Sequence, residues 1–150
     1  MAATTGGAIK AYLESLGSGV PVFRDGPRQD QAPPFAVVTE AESIGLTPTG
    51  NGDYGDPNAT LQITEIATVD LVETARIKTG AATARSAERY GLAESFAHAL
   101  NHATLPAHPA RVTAVRVTGM QRFPIVDNRV RSSITVEIKR ALLAEEVVPS

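Results

Sequence analysis

Between Arg129 and Leu142 the chain alternates regularly enough to dictate a sheet with two unlike faces. Even positions Val130, Ser132, Ile134, Val136, Ile138 and Leu142 are mainly apolar, while odd positions Arg129, Arg131, Ser133, Thr135, Glu137 and Lys139 are all polar. Successive side chains of a strand point to opposite faces, so this segment can bury only one of them. The same period recurs from Leu61 to Leu71, where Leu61, Ile63, Ala67, Val69 and Leu71 share one face with Glu65, and the other face is mostly Gln, Thr and Asp. Two such strands need a cover on the dry side.

The cover is predicted over Ala82–Ala103, a helix whose Tyr90, Ala93, Phe96, Ala97 and Leu100 form one apolar stripe. Pro106 and Pro109 lie beyond its end. A shorter amphipathic helix, Ala8–Leu16, carries Ile9, Tyr12, Leu13 and Leu16 and stops at Gly17-Ser18-Gly19. Further strands are predicted at Val20–Arg24, where Pro21 favours an edge or a strand start, at Phe35–Ser43 and at Arg111–Gly119. Phe123–Asn128 links the last two strands. The order α-β-β-β-α-β-β predicts an α+β fold: a mainly antiparallel four- or five-stranded sheet packed by one long helix and a short N-terminal helix. Residues 1–150 read as a single domain without repeats. Residues 46–58, rich in Gly, Pro, Asn and Asp, form a long loop of the kind that binds partners or stays mobile, and 144–150 a loose tail.

Composition narrows the chemistry. Of 150 residues 43% are apolar, enough for a core, and with no Trp that core is aliphatic. The absence of cysteine removes disulfides, thiolate chemistry and cysteine-ligated zinc. No run reaches the roughly 18–20 apolar residues of a membrane helix, and Met1–Gly7 has neither the basic nor the hydrophobic stretch of a secretion signal. Net charge is −2, unevenly laid out: −7 over residues 1–75 and +5 over 76–150. Such polarity lets copies attract head to tail, or a surface face DNA, provided that the fold keeps the halves apart.

The motifs that resemble catalytic or cofactor sites fail on context. Gly50-Asn51-Gly52-Asp53-Tyr54-Gly55 matches G-x-G-x-x-G, but Asp56-Pro57 and a strand follow in place of the helix that would hold a pyrophosphate. As a calcium loop the stretch lacks the required ligands and glycine. His98 and His102 stand four apart on the long helix, a metal-gripping spacing, yet without the glutamate of H-E-x-x-H and with only His108 as a third histidine. Glu65 and Glu73 fall on the apolar face of the long strand. There they either do proton work or meet an arginine such as Arg116, and the second reading is the commoner one. Arg129, Arg131 and Lys139 project from one face of the last strand, with Arg122 nearby, and suit an acidic partner or phosphates. An acidic chain with few aromatics is a poor sequence-specific nucleic-acid binder. No catalytic residue, cofactor or metal is assigned.

The layout resembles the tail terminator proteins of long-tailed bacteriophages, also called tail completion or tail-to-head joining proteins. The resemblance rests on the opening helix Ala8-Ile9-Lys10-Ala11-Tyr12-Leu13, on Val22-Phe23-Arg24-Asp25 followed by Ala32-Pro33-Pro34-Phe35-Ala36-Val37-Val38, on the strand Leu61–Leu71, on the helix ending Phe96-Ala97-His98-Ala99-Leu100, and on the closing strand pair. It implies a non-enzymatic virion protein made in the bacterial host cytoplasm. Six subunits would form a ring that caps the tail tube and meets the head connector, with genomic DNA passing through the lumen unread and no membrane involved. Asp53, Tyr54 and Asp56 of the loop and Arg122, Arg129, Arg131 and Lys139 of the basic region are the expected partner or subunit contacts. The alternatives are another neck or head-completion protein, or a small enzyme using the carboxylates or a His98/His102 metal site.

Overall fold

The computed structural model describes residues 4–26, 31–48, 61–74, 92–127 and 129–142. Five strands form one sheet: β1 (Val22–Arg24), β2 (Phe35–Pro48), β3 (Leu61–Thr74), β4 (Val112–Arg122) and β5 (Arg129–Ala141), ordered β1-β2-β3-β5-β4. β1 runs parallel to β2, and every other pair is antiparallel. The sheet is therefore mixed, with the Pro21-flanked β1 at its edge. Helix α1 (Thr5–Ser15) and a second helix, α2 (residues 92–100), pack on one side. The predicted start of α2 at Ala82, most of the 46–58 loop and the 144–150 tail lie outside the described residues.

The period-2 reading of β5 holds from Val130 to Ile138; beyond it the buried position is Arg140, which the apolar series skips, while Leu142 lies past the strand and is only half-buried. Val130, Ser132, Ile134, Val136, Ile138 and Arg140 are buried, and none of the residues alternating with them is. Ile134, Val136 and Ile138 meet Val69, Ala67 and Leu71 of β3 and Ala36 and Val38 of β2 beneath Ile9 and Leu13 of α1 and Phe96 and Leu100 of α2. Burying such side chains is worth roughly 1.5–3 kcal/mol each, so this layer is the principal source of stability. The Tyr12 hydroxyl donates to the carbonyl of Ala99 (2.9 Å) and ties the helices together over it.

Several boundaries differ from the sequence expectation: β3 runs on to Thr74 instead of Leu71, β4 to Arg122 instead of Gly119, and α2 ends at Leu100 instead of Ala103. α1 starts at Thr5, three residues before Ala8, because Thr4 caps it: its Oγ1 accepts the N–H of Gly7 (3.1 Å).

β2 continues past Ser43 to Pro48, so residues 46–48 belong to the strand and not to the loop. Two bulges, between Thr39 and Glu42 and between Ser43 and Gly45, break its alternation, and pairing with β3 restores the ladder beyond each. The resulting β2–β3 arm runs past the short β1, whose pairing with β2 stops at Val38.

Candidate functional site

On the helix side of the sheet a buried polar cluster interrupts the apolar layer. Arg140 of β5 donates from Nε to Oε1 of Glu65 on β3 (2.8 Å), and the same oxygen accepts the Thr5 hydroxyl from the first turn of α1 (2.5 Å). Thr5 Oγ1 lies 2.8 Å from His108 Nε2. The backbone N–H of Ala110 donates to His108 Nδ1 (2.9 Å), which leaves the ring proton on Nε2, pointing at Thr5. All four side chains are buried. The chain of donors His108 to Thr5 to Glu65, closed by Arg140, joins α1, β3, β5 and the α2–β4 connection.

This corrects the expected partner of Glu65. Arg116 pairs across β4–β5 with Glu137 on the opposite face, whereas Arg140, one strand over and in register with Ile63, reaches Glu65 from the buried face. Neither of the two described clefts is lined by Glu65. Both of its roles in view, acceptor from Thr5 and partner of Arg140, are structural. Glu73 is buried on the same face, opposite Val130.

A second carboxylate organises the start of α1. Glu40 accepts from the N–H of Gly6 (3.0 Å), the hydroxyl of Thr4 (3.0 Å), the N–H of Ala41 (3.2 Å) and the guanidinium of Arg24 (2.7 Å). Burial pushes its carboxyl up, but these donors outweigh that and hold it below its ordinary value of 4.5. A Cβ at Gly6 would stand 2.8 Å from Oε2 of Glu40, so a side chain there would push the carboxylate away from this set of donors.

The histidine pair separates. α2 is helical to Leu100, and His102 follows at φ 64, in the left-handed region, with its N–H bonded to the carbonyl of Val115 (2.8 Å). The i, i+4 geometry with the exposed His98 is lost at that turn. Among the described residues no three His, Asp or Glu side chains gather as a metal site.

The open side of the sheet is not polar throughout. At the end where β2 begins, Phe35 and Val37 of β2, Val72 of β3 and Phe123 floor an open cleft of about 960 Å³. Phe23 packs edge-on against Phe35, with centroids 6.3 Å apart and planes at 73°. Three of the chain's four phenylalanines thus lie away from the helices. Pro124, Val126, Asp127, Arg129, Arg131 and Asp70 complete the wall. The lip is a tight turn in which Val126 and Arg129 exchange backbone hydrogen bonds (3.1 and 2.9 Å) around Asp127 at φ 50.

Of the expected contact residues, Arg129 and Arg131 come together in this cleft. Lys139 shares their face eight residues further along β5, level with Thr64. Arg122 does not join them: level with buried Ser132, it turns to the helix side and forms an ion pair with Glu94 of α2. Asp53, Tyr54 and Asp56, with the Gly50–Gly55 motif, lie outside the described residues. The sequence reading missed Phe35, Val72, Phe123 and Asp70 as cleft residues. Their signal is local: Phe35-Ala36-Val37-Val38 and Leu71-Val72 are unbroken apolar runs inside alternating strands, the mark of burial on both faces.

No protein-family model and no curated protein matches the sequence. Among solved structures, a chain in the virion of a native gene transfer agent particle is 12% identical, with a TM-score of 0.62 over 92% of this chain and 95% of that one. A second solved chain, 14% identical over 91% of this chain and 95% of its own, has a TM-score of 0.42, too low to carry an argument. At such identities the fold is what is shared: this chain has the α+β fold of a protein found in a virion particle.

Proposed function

We propose that the chain is a structural protein of a virion, a ring-forming tail terminator that caps the tail tube of a long-tailed phage and joins it to the head connector. The observation that carries this reading is the fold shared over nearly the whole of both chains with a component of a gene transfer agent virion. The surface is compatible. One sheet face is covered by helices, while the other offers a cleft with Arg129 and Arg131, which form no ion pair among the described residues, features of a protein that meets others. Arg129, Arg131 and Lys139 serve subunit, connector or lumen contacts in this reading, and DNA passes without being read. No catalytic step is involved.

Negative-stain imaging and native mass spectrometry of the purified protein, alone and with tail tube protein, test it. Closed rings, free or formed on the tube, are expected. A protein that stays strictly monomeric in both conditions overturns the reading. Deleting the gene discriminates the tail role from another neck role: filled heads beside tails of uncontrolled length are expected for a terminator, and normal-length unjoined tails for a different neck protein.

A further inference from the structure

Among the described residues five large apolar side chains stay exposed, and two of them, Ile125 (39% exposed) and Val126 (64%), are neighbours in the turn that forms the lip of the aromatic cleft. An exposed apolar lip beside an apolar floor puts a projection and a receptacle on one surface. The charges repeat this arrangement. Asp70 and Asp127 share the cleft wall with Arg129 and Arg131, and none of the four takes part in an ion pair among the described residues. Equal numbers of each sign leave the cleft neutral, so it selects neither an anion nor a cation and offers no track for a nucleic-acid backbone. What it suits is a surface that carries the same mixture.

The register shows how two such surfaces fit. Phe35, Val72 and Arg131 stand level across β2, β3 and β5, and the N–H of Phe123, bonded to the carbonyl of Arg131 (3.0 Å), adds Phe123 at the end of the row. In the neighbouring row, about 7 Å along the strands, Val37, Asp70, Ser133 and Gln121 stand level. A two-fold axis parallel to the strands, over the gap between β3 and β5, reverses the order of the strands and keeps each row at its level. Phe35 of one copy then lies opposite Phe123 of the other, and Val72 opposite the stem of Arg131. Asp70 lies opposite Ser133, one row from the other copy's Arg131, and that long side chain bridges the offset between sheets stacked about 10 Å apart. Each contact occurs twice, as the symmetry requires.

We infer that the aromatic cleft is a self-complementary face through which two copies pair about a two-fold axis, with Phe35 against Phe123 and Asp70 against Arg131. An isologous contact of this kind joins two bodies and stops. It goes beyond the ring reading and does not itself close a ring. Where copies already stand in rings, it pairs two rings face to face.

Charge reversal tests the pairing. R131D sets acidic side chains against each other at both contacts of its own pair, and D70R sets basic ones, whereas a mixed pair of R131D with D70R has opposite charges at both. Sedimentation velocity of the parent is expected to show concentration-dependent pairing, as dimers or as doubled rings. Each variant alone is expected to pair at least about tenfold more weakly. Native mass spectrometry of the mixture, in which the three kinds of pair differ in mass, is expected to show the mixed pair in at least about fivefold excess over the like pairs. Recovery in the mixture needs both variants folded, so it excludes misfolding as the cause of the loss. A parent that stays monomeric or in single rings at every concentration overturns this contact and leaves the ring reading to its own test. Pairing indifferent to both reversals, or a loss that mixing does not repair, overturns it as well.

Discussion

Replacing Arg140 by methionine isolates what the buried cluster contributes. The substitution keeps the aliphatic stem but removes the guanidinium that lies 2.8 Å from Glu65 Oε1, with both side chains at most 10% exposed. Glu65 then keeps the Thr5 hydroxyl but loses its countercharge in a site largely removed from water. Breaking a buried pair by removing one partner costs about 3–5 kcal/mol, which for a domain of this size lowers the melting midpoint by roughly 6–20 °C. In the double variant E65L/R140M no charge is stranded. The main loss there is the acceptor of the Thr5 hydroxyl, about 1–2 kcal/mol. The double variant is therefore expected to be more stable than R140M alone, with a favourable pair coupling of about 2 kcal/mol or more. Urea unfolding followed by circular dichroism measures the parent, R140M, E65L and E65L/R140M, at one fixed concentration because assembly would add to apparent stability. If R140M unfolds within 1 kcal/mol of the parent, or E65L/R140M is less stable than R140M, the cluster is not a desolvated ion pair and the structural role assigned to Glu65 fails.

Glu40 gives a pH signature. Its folded value lies below the ordinary 4.5, so its contribution is complete well above pH 4.5 and is lost as pH falls through the folded value. E40Q is expected to be less stable than the parent at pH 7 by about 1 kcal/mol, with the gap narrowing below pH 4.5; a constant gap in acid unfolding curves contradicts this. G6A places a methyl carbon against the Glu40 carboxylate, so it is expected to destabilise the parent yet to be neutral or stabilising in an E40A background, where alanine's helix preference of up to about 1 kcal/mol is felt. A loss of equal size in both backgrounds shows that the Glu40 contact is not the cause. R122A breaks an ion pair whose side chains are 36% and 60% exposed, so it is expected to shift the urea midpoint by the equivalent of no more than about 0.5 kcal/mol; a larger shift gives that pair a packing role.

Much of the fold was legible because strand alternation is a local property. Which residues of β5 are buried follows from position parity, and Phe96 and Leu100 follow from helical spacing. The start of α1 was not legible, since Gly6 and Gly7 are poor helix formers in isolation and are held by Thr4 and by a carboxylate 34 residues further on. The extension of β2 was hidden for a similar reason: bulges scramble the period, and only the β3 ladder shows that the strand goes on.

By itself the sequence determined the α+β class, the dry and wet sides of β5, the edge position of β1 and the grouping of Arg129, Arg131 and Lys139 on one face. Only the tertiary structure decided that β5 enters between β3 and β4, that Glu65 meets Arg140 while Arg116 faces away, that Arg122 turns to α2, and that Phe35 and Phe123 floor a cleft on the supposedly wet side. The physical reason is range. Periodicity and propensity act over a few residues along the chain, whereas neighbours across a sheet are chosen by strand order and register, which join residues as far apart as Glu65 and Arg140.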